Sequence, residues 1–386
     1  MNPLLKKSLL ECDVVIIGSG IVGLSSAASI LEKKPRCRVI VLERGFLPTG
    51  ASTKNAGILG FEGFIDIFED SHTLGEIKVR SQVEIQQEGV KRLLTRLGKD
   101  LTDYQQNGTY ELLTEKELHH LEKIDYANKV LFPIFGENVF EVVNHKIKEM
   151  GFNENIVKAL VFNKYGAQID SGKTIKNLSE YVRKLGALIV TGAEVLDYKK
   201  TQNGIIANVK SLNKDGNVNS FGCKKLVIAT NAFSNKLLKN KVDLCPARGQ
   251  VLVTKPIPGL KIRGTFHFED DFYYGRNIGD RILIGGARNT DFESEETEKF
   301  ENTEKIISNV KRILQEIILP NHTFEIEHQW AGIMGFGKNS RDRILKEVEE
   351  DVYAGFRFCG TGMSTASYVG DILSEMVLQR KITPKL

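Results

Sequence analysis

The sequence predicts an α/β protein in which two domains are interleaved. Three observations predict it. An apolar run at residues 13–17 passes straight into a glycine-spaced turn and a helix pattern. A second apolar run at 38–42 stops on Glu43, and alternating strand patterns follow further along with turn residues between them. The 386 residues exceed what one hydrophobic core usually serves, so two domains are expected. Neither repeats nor low-complexity linkers interrupt the chain, which favours interleaving over domains in series.

The first element, Asp13-Val14-Val15-Ile16-Ile17, has the continuous apolar character of a buried parallel strand. It enters Gly18-Ser19-Gly20-Ile21-Val22-Gly23, and small and apolar residues continue at helical spacing to Leu31. Gly18 permits the tight turn, Gly20 lets backbone amides approach a pyrophosphate at the positive end of the helix, and Gly23 allows close helix–sheet packing. Glu43, about twenty residues beyond Gly23, ends the second strand where the ribose hydroxyls of a dinucleotide need an acceptor. Strand, glycines, helix, strand and terminal acid together read as a Rossmann-like dinucleotide site. This unit alone does not separate NAD from FAD.

Residues 74–97 read as an amphipathic helix, 108–113 as a strand, and 115–130 and 142–150 as helical. A loop at 165–170 leads to a helix at 174–185 and a strand at 187–190. Alternating strands at 204–209 and 221–226 flank a turn at 213–217, and 226–232 is a buried strand ending in small residues. Residues 272–276 and 281–286 form a hairpin turning at 277–280. The acidic stretch 291–304 reads as a solvated loop and helix start, and the helix buries Ile306, Val310, Ile313, Leu314 and Ile317.

The net charge of +4 is spread along the chain, which argues against nucleic acid as a partner. No apolar run reaches the roughly 18 residues of a membrane span, although peripheral membrane contact stays open. Met1 to Leu10 carry Lys6 and Lys7 without the apolar core of a signal peptide. Five widely spaced cysteines without a CxxC pair read as free thiols in a reducing compartment, hence a cytoplasmic expectation. The seven histidines, His72 and His267 included, show no metal spacing, so no metal is expected.

Glu43-Arg44-Gly45 leads into Gly50-Ala51-Ser52-Thr53-Lys54-Asn55-Ala56-Gly57. In this the chain resembles the FAD-dependent D-amino acid oxidase superfamily, in the branch holding glycine oxidase, sarcosine oxidase and D-amino acid dehydrogenase. The resemblance implies a glutathione-reductase-type FAD domain and an α+β substrate domain built on a mixed or antiparallel sheet. Residues 1–75, 155–240 and 325–386 would form the first, and 76–154 and 241–324 the second. It implies that Ser19, Ile21, Val22 and the glycines between them, Glu43 and Arg44, and Ser52 to Ile58 lie along the cofactor. The backbone of Val195 would meet the adenine. Ala229-Thr230-Asn231-Ala232 resembles an "ATGAW" segment with Asn231 in place of the usual Gly, and Pro246-Ala247-Arg248-Gly249-Gln250 resembles "P-x-R/K-G-Q". Trp330-Ala331-Gly332-Ile333 resembles "WAG", and Gly360-Thr361-Gly362-Met363-Ser364 resembles the "G-H-G" loop facing the flavin. The resemblance runs nearly end to end, with its specific motifs in the first eighty and last sixty residues.

The implied chemistry is hydride transfer from the carbon beside nitrogen to flavin N5, giving an imine that water hydrolyses, with oxygen or another electron acceptor taking the electrons. Two carboxylate anchors of that branch are absent: the Arg after "WAG-aliphatic" is Met334, and the Lys of the "G-H-G" loop is Ser364. Substitutes would be Arg276, Lys338, Arg341 or Arg343. Tyr273 and Tyr274 are the pocket tyrosines the resemblance implies, against a reading as aromatic packing, and Arg276 could equally be a solvated hairpin residue. Lys54 stands where some relatives attach flavin through His, and residues 334–341 contain no Cys, so FAD is expected to be non-covalent. The expected substrate is an amine or amino acid. A 2-hydroxy acid or polyol-phosphate dehydrogenase, or a catalytically silent FAD-binding protein, remain the alternatives.

Overall fold

The computed structural model describes residues 10–210, 219–239, 242–269 and 272–379. The expected turn at 213–217 and the basic pair Lys6 and Lys7 lie outside them. The first apolar run forms β1 (Glu11–Ile17), the glycine turn opens α1 (Ile21–Lys33), and β2 (Val39–Leu42) follows with every residue buried. Next come β3 (Ile58–Leu59), α2 (Glu76–Leu97), β4 (Thr109–Thr114), β5 (Phe140–Val142), β6 (Val157–Asn163), β7 (Ala167–Gln168), α3 (Ser171–Lys184) and β8 (Leu188–Val190). Then follow β9 (Val195–Thr201), β10 (Gly204–Val209), β11 (Asn219–Ile228), β12 (Cys245–Thr254), β13 (Thr265–Phe268), β14 (Tyr273–Ile278) and β15 (Arg281–Gly286). The chain closes with α4 (Glu304–Ile313), β16 (Ile326–Phe336), β17 (Ile344–Glu349), β18 (Val352–Phe356) and α5 (Gly362–Leu378).

The first sheet runs β17-β18-β11-β1-β2-β8, with β10 paired to β11 and β9 to β10. Its central pairs, β18/β11, β11/β1, β1/β2 and β2/β8, are parallel. Alternation along β1 sends Val14 and Ile16 to a core shared with α1, α3 and α5, while Val15 and Ile17 face the opposite core with β10 and β11. The second sheet runs β16-β12-β15-β14-β13-β4-β6-β5 and is antiparallel except at β13/β4. One face packs on α4, whose Ile306, Val310 and Ile313 are buried as the sequence predicts. The fold is therefore the expected mixed α/β arrangement.

Sheet membership departs from the expected domain boundaries in three places. β6 pairs with β4 and β16 with β12, so both belong to the second sheet. α2 buries Leu93 and Leu97 in the core of the first sheet. The loop expected at 165–170 contains β7, which pairs with β3. The acidic stretch is not wholly solvated: Glu295 is 1% exposed, its carboxylate held by Arg248 and Gln250. The five cysteines are free, and among the described residues no helix is long and apolar enough to cross a membrane. No group of three potential ligands could hold a metal ion among them either.

Candidate active site

A long cleft opens along the carboxyl ends of β1 and β2, where ligands bind in sheets of this kind. Gly18 leaves β1 with φ +104°, a conformation that favours glycine. A side chain on Gly23 would overlap the Gly18 carbonyl oxygen, so the turn closes only with glycine there. α1 starts at Gly20 without a side-chain cap. Its first amide, Ile21 N–H, donates to Ser52 Oγ at 3.0 Å, and Leu24 N–H begins the helical ladder on the Gly20 carbonyl, so the Val22 and Gly23 amides are left for an anion. Glu43 is fixed at the end of β2: one carboxylate oxygen accepts from the Ser19 amide and hydroxyl at 3.0 and 2.8 Å, the other from the Gly45 amide at 3.0 Å. Each oxygen retains acceptor capacity toward the cleft it lines. An uncapped helix start, a glycine turn and a buried acceptor fit an adenine dinucleotide.

The cleft wall gathers segments far apart in sequence. Gly18, Gly20, Ile21, Val22, Glu43, Arg44, Ser52, Asn55, Val195, Ala229, Thr230, Asn231, Gly360, Gly362 and Met363 all line it. Asn231 has φ +42°, which explains why an asparagine can stand where a glycine is usual. Its side-chain oxygen accepts from the Arg357 amide at 3.1 Å. The guanidinium of Arg44 lies 3.9 Å over the Phe233 ring, and the two close one side of the cleft. Glu194 and Cys359 line it too, as do Phe233 and Lys236, which carry no signal in the sequence motifs. Burial raises the Cys359 thiol above its ordinary range, so it stays protonated.

Other expected cofactor residues stand behind this wall. Ser19 serves Glu43, and Gly23 packs against the turn. The Thr53 hydroxyl donates to the Pro48 carbonyl, while the Lys54 carbonyl accepts from Trp330 Nε1 at 2.9 Å. Ala56 and Ile58 join an apolar cluster. The Asn55 side chain accepts from the Gly57 amide and the Ser171 hydroxyl, setting the path of that segment. Gly332 packs on Lys54, the Thr361 hydroxyl donates to the Phe358 carbonyl, and the buried Ser364 hydroxyl accepts from the Gly60 amide.

The second sheet presents β14 to this region. Alternation separates the two tyrosines: Tyr273 is buried in the distal core, stacked on Phe268 at 4.9 Å, and cannot be a pocket residue. Tyr274 faces the other way, in the cluster of Ala56, Ile58, Val251, Val253, Leu283 and Trp330. Its hydroxyl has no hydrogen-bond partner among the described residues, and burial pushes the phenol up to about 12. Arg276 shares that face and is buried, not solvated, with Nε unpartnered. Its guanidinium lies beside Gly57, and burial lowers its pKa to about 10 against the pull of Asp170 and Asp103.

The other proposed cations are not brought to Tyr274. Lys338 is two-thirds exposed and paired with Glu296 at 3.2 Å, in a loop whose amides at 338 and 339 donate to Asp243. Arg341 is exposed, and Arg343 sits beside Glu62. His72 packs on Phe68 and Tyr126, away from the cleft, whereas His267 lies directly across from Tyr274 in the β13/β14 register.

The family model described as "DAO: FAD dependent oxidoreductase" matches residues 13–376. The glycine oxidase of Geobacillus kaustophilus is 24% identical over 281 residues, covering 71% of this chain and 70% of its own. The gamma-glutamylputrescine oxidoreductase of Escherichia coli is 23% identical over 395 residues, covering 95% and 84%. Among solved structures, the L-proline dehydrogenase of P. horikoshii superposes with a TM-score of 0.75 at 21% identity, covering 97% of this chain and 95% of that one.

Proposed function

The chain belongs to the FAD-dependent oxidoreductase family, and on that premise we propose that it oxidises a carbon–nitrogen bond of an amine or amino acid. FAD is its cofactor. The start of α1 with Gly18, Gly20 and Ser52 would hold the pyrophosphate, Glu43 the ribose and Val195 the adenine, all of which line the cleft. Residues 55–58 and 360–364 would hold the ring system. Bound FAD supplies a two-electron acceptor, and the chain's own residues supply position, dryness and charge.

The observation that carries the reading is the face of β14: Tyr274 and Arg276 project from it beside an otherwise apolar cluster. An amine entering such a face loses hydration, which favours its neutral form. The free lone pair then stabilises the positive charge that grows at carbon as the hydride departs, and water converts the resulting imine to a carbonyl. Tyr274, held protonated by burial, donates a hydrogen bond to the substrate. Arg276 would place a positive charge beside Gly57, where it would favour the reduced, more negative form of the cofactor. The likeness to a glycine oxidase, a gamma-glutamylputrescine oxidoreductase and an L-proline dehydrogenase supports a substrate that bears nitrogen. Oxygen or another acceptor takes the electrons on, and the free thiols fit a cytoplasmic setting.

Anaerobic mixing of the yellow protein with panels of amines, amino acids and 2-hydroxy acids tests this. Bleaching of the visible flavin band by nitrogen compounds supports the proposal. Bleaching by hydroxy acids alone, or by nothing, refutes it.

A further inference from the structure

We propose that Arg288 and Tyr274 together form the receptor for a substrate carboxylate, in place of the anchors absent at Met334 and Ser364. The inference deepens the functional reading above by naming the substrate class as amino acids.

Arg288 follows β15, immediately after Ala287, which is fully buried and holds φ +62°. A non-glycine residue in the left-handed region persists only where its surroundings over-determine it, so the direction in which Arg288 leaves the sheet is fixed. Its guanidinium lies 4.4 Å over the Phe336 ring and 5.1 Å over the Phe292 ring, which hold it flat and leave its N–H edge free. No ion pair or hydrogen bond ties that side chain among the described residues. The nearby acid Glu295 is already taken by Arg248 and Gln250. Burial disfavours the charged form of Arg288; of the groups that act on it electrostatically, Tyr274, Cys245 and Cys359 are neutral at neutral pH, and Glu295 is already paired with Arg248.

Tyr274 supplies the second half. A side chain on Gly249 would find the Met334 methyl at 2.9 Å and the Tyr274 hydroxyl at 3.5 Å, so the hydroxyl, the Met334 tip and a bare strand backbone border one small space. Cys359, which lines the cleft, is also within electrostatic reach of Arg288. A guanidinium without an ion pair and an unpartnered phenol, within electrostatic reach of each other beside Met334 of the cleft, complement one carboxylate: the guanidinium donates in a fork and the phenol adds a third hydrogen bond. Arg276 suits this role less, because its guanidinium is directed at Gly57 and not at the space beside Met334.

The test is a titration of the oxidised holoenzyme with benzoate and acetate, followed by perturbation of the flavin spectrum, with benzyl alcohol as the uncharged counterpart. The native protein should bind a carboxylate and prefer it to the alcohol. Arg288→Gln should weaken carboxylate binding by roughly 10- to 100-fold, with Arg288→Lys recovering part of the loss and alcohol binding unmoved. Arg281→Gln, which removes a charge at the far end of the same strand, should leave the titration as it was. If Arg288→Gln loses its flavin, Tyr274→Phe carries the test, with an expected loss of roughly threefold to tenfold. Binding by Arg288→Gln or Tyr274→Phe within twofold of native overturns the proposal. So does a loss seen in Arg276→Gln instead, or a native protein that binds no carboxylate. Because the readout is binding to the resting protein, it stands whether or not any amine is oxidised.

Discussion

The indole Nε1 of Trp330 donates to the carbonyl oxygen of Lys54, 2.9 Å away and 276 residues earlier in the chain. The bond fastens β16 of the second sheet to the segment that follows the glycine turn. The two halves of the active site are thereby held to each other by a contact that touches neither ligand. Trp330→Phe keeps most of the ring packing and deletes the donor, at a cost of about 1 kcal/mol. FAD should then dissociate several-fold faster on dilution, read as recovery of free-flavin fluorescence, while the protein still purifies yellow.

Gly23 is the most constrained point of the cofactor turn, since any side chain there overlaps the Gly18 carbonyl. Gly23→Val should fold with little flavin, measured as the ratio of visible to ultraviolet absorbance. Gly222→Ala makes only an ordinary contact with Glu11 and should retain the native ratio.

FAD should leave the protein on heating or acid precipitation and appear in the supernatant. The one thiol lining the cleft, Cys359, is held protonated by burial and is a poor nucleophile. Colour remaining in the pellet contradicts this.

Neighbouring tyrosines on β14 give a paired prediction. Tyr274→Phe should slow flavin reduction by roughly tenfold, the rate equivalent of one lost hydrogen bond of about 1.4 kcal/mol. Tyr273→Phe, in the distal core, should leave the reduction rate within about twofold, a barrier change of under half a kcal/mol. Rapid-mixing absorbance of both variants checks the assignment of faces.

What was legible in the sequence was what is local. The run from Asp13 to Glu43 encodes strand, turn, helix and strand through contiguous residues, and the structure follows it closely. The substitution at Asn231 was visible as an oddity and is explained by its positive φ. Which of Tyr273 and Tyr274 faces the site depends on one residue of strand phase, and both flanking patterns allow either. The burial of Glu295 depends on Arg248, and the freedom of Arg288 on Phe336 and Phe292. Lys338, attractive in a glycine-rich loop, is claimed by Glu296 from another element. Such pairings are settled between strands and loops that meet only in the folded chain, so no spacing rule announces them.

The central claim is that electrons reaching the cofactor come from the C–H bond beside an amine nitrogen. It is tested most directly by counting product in a single anaerobic turnover with whichever compound bleaches the flavin. One carbonyl and one freed amino group are expected for each flavin bleached, the nitrogen leaving as ammonia or amine from an open-chain substrate and staying on the same molecule in a cyclic one. Bleaching that yields a carbonyl with no carbon–nitrogen bond broken would contradict this.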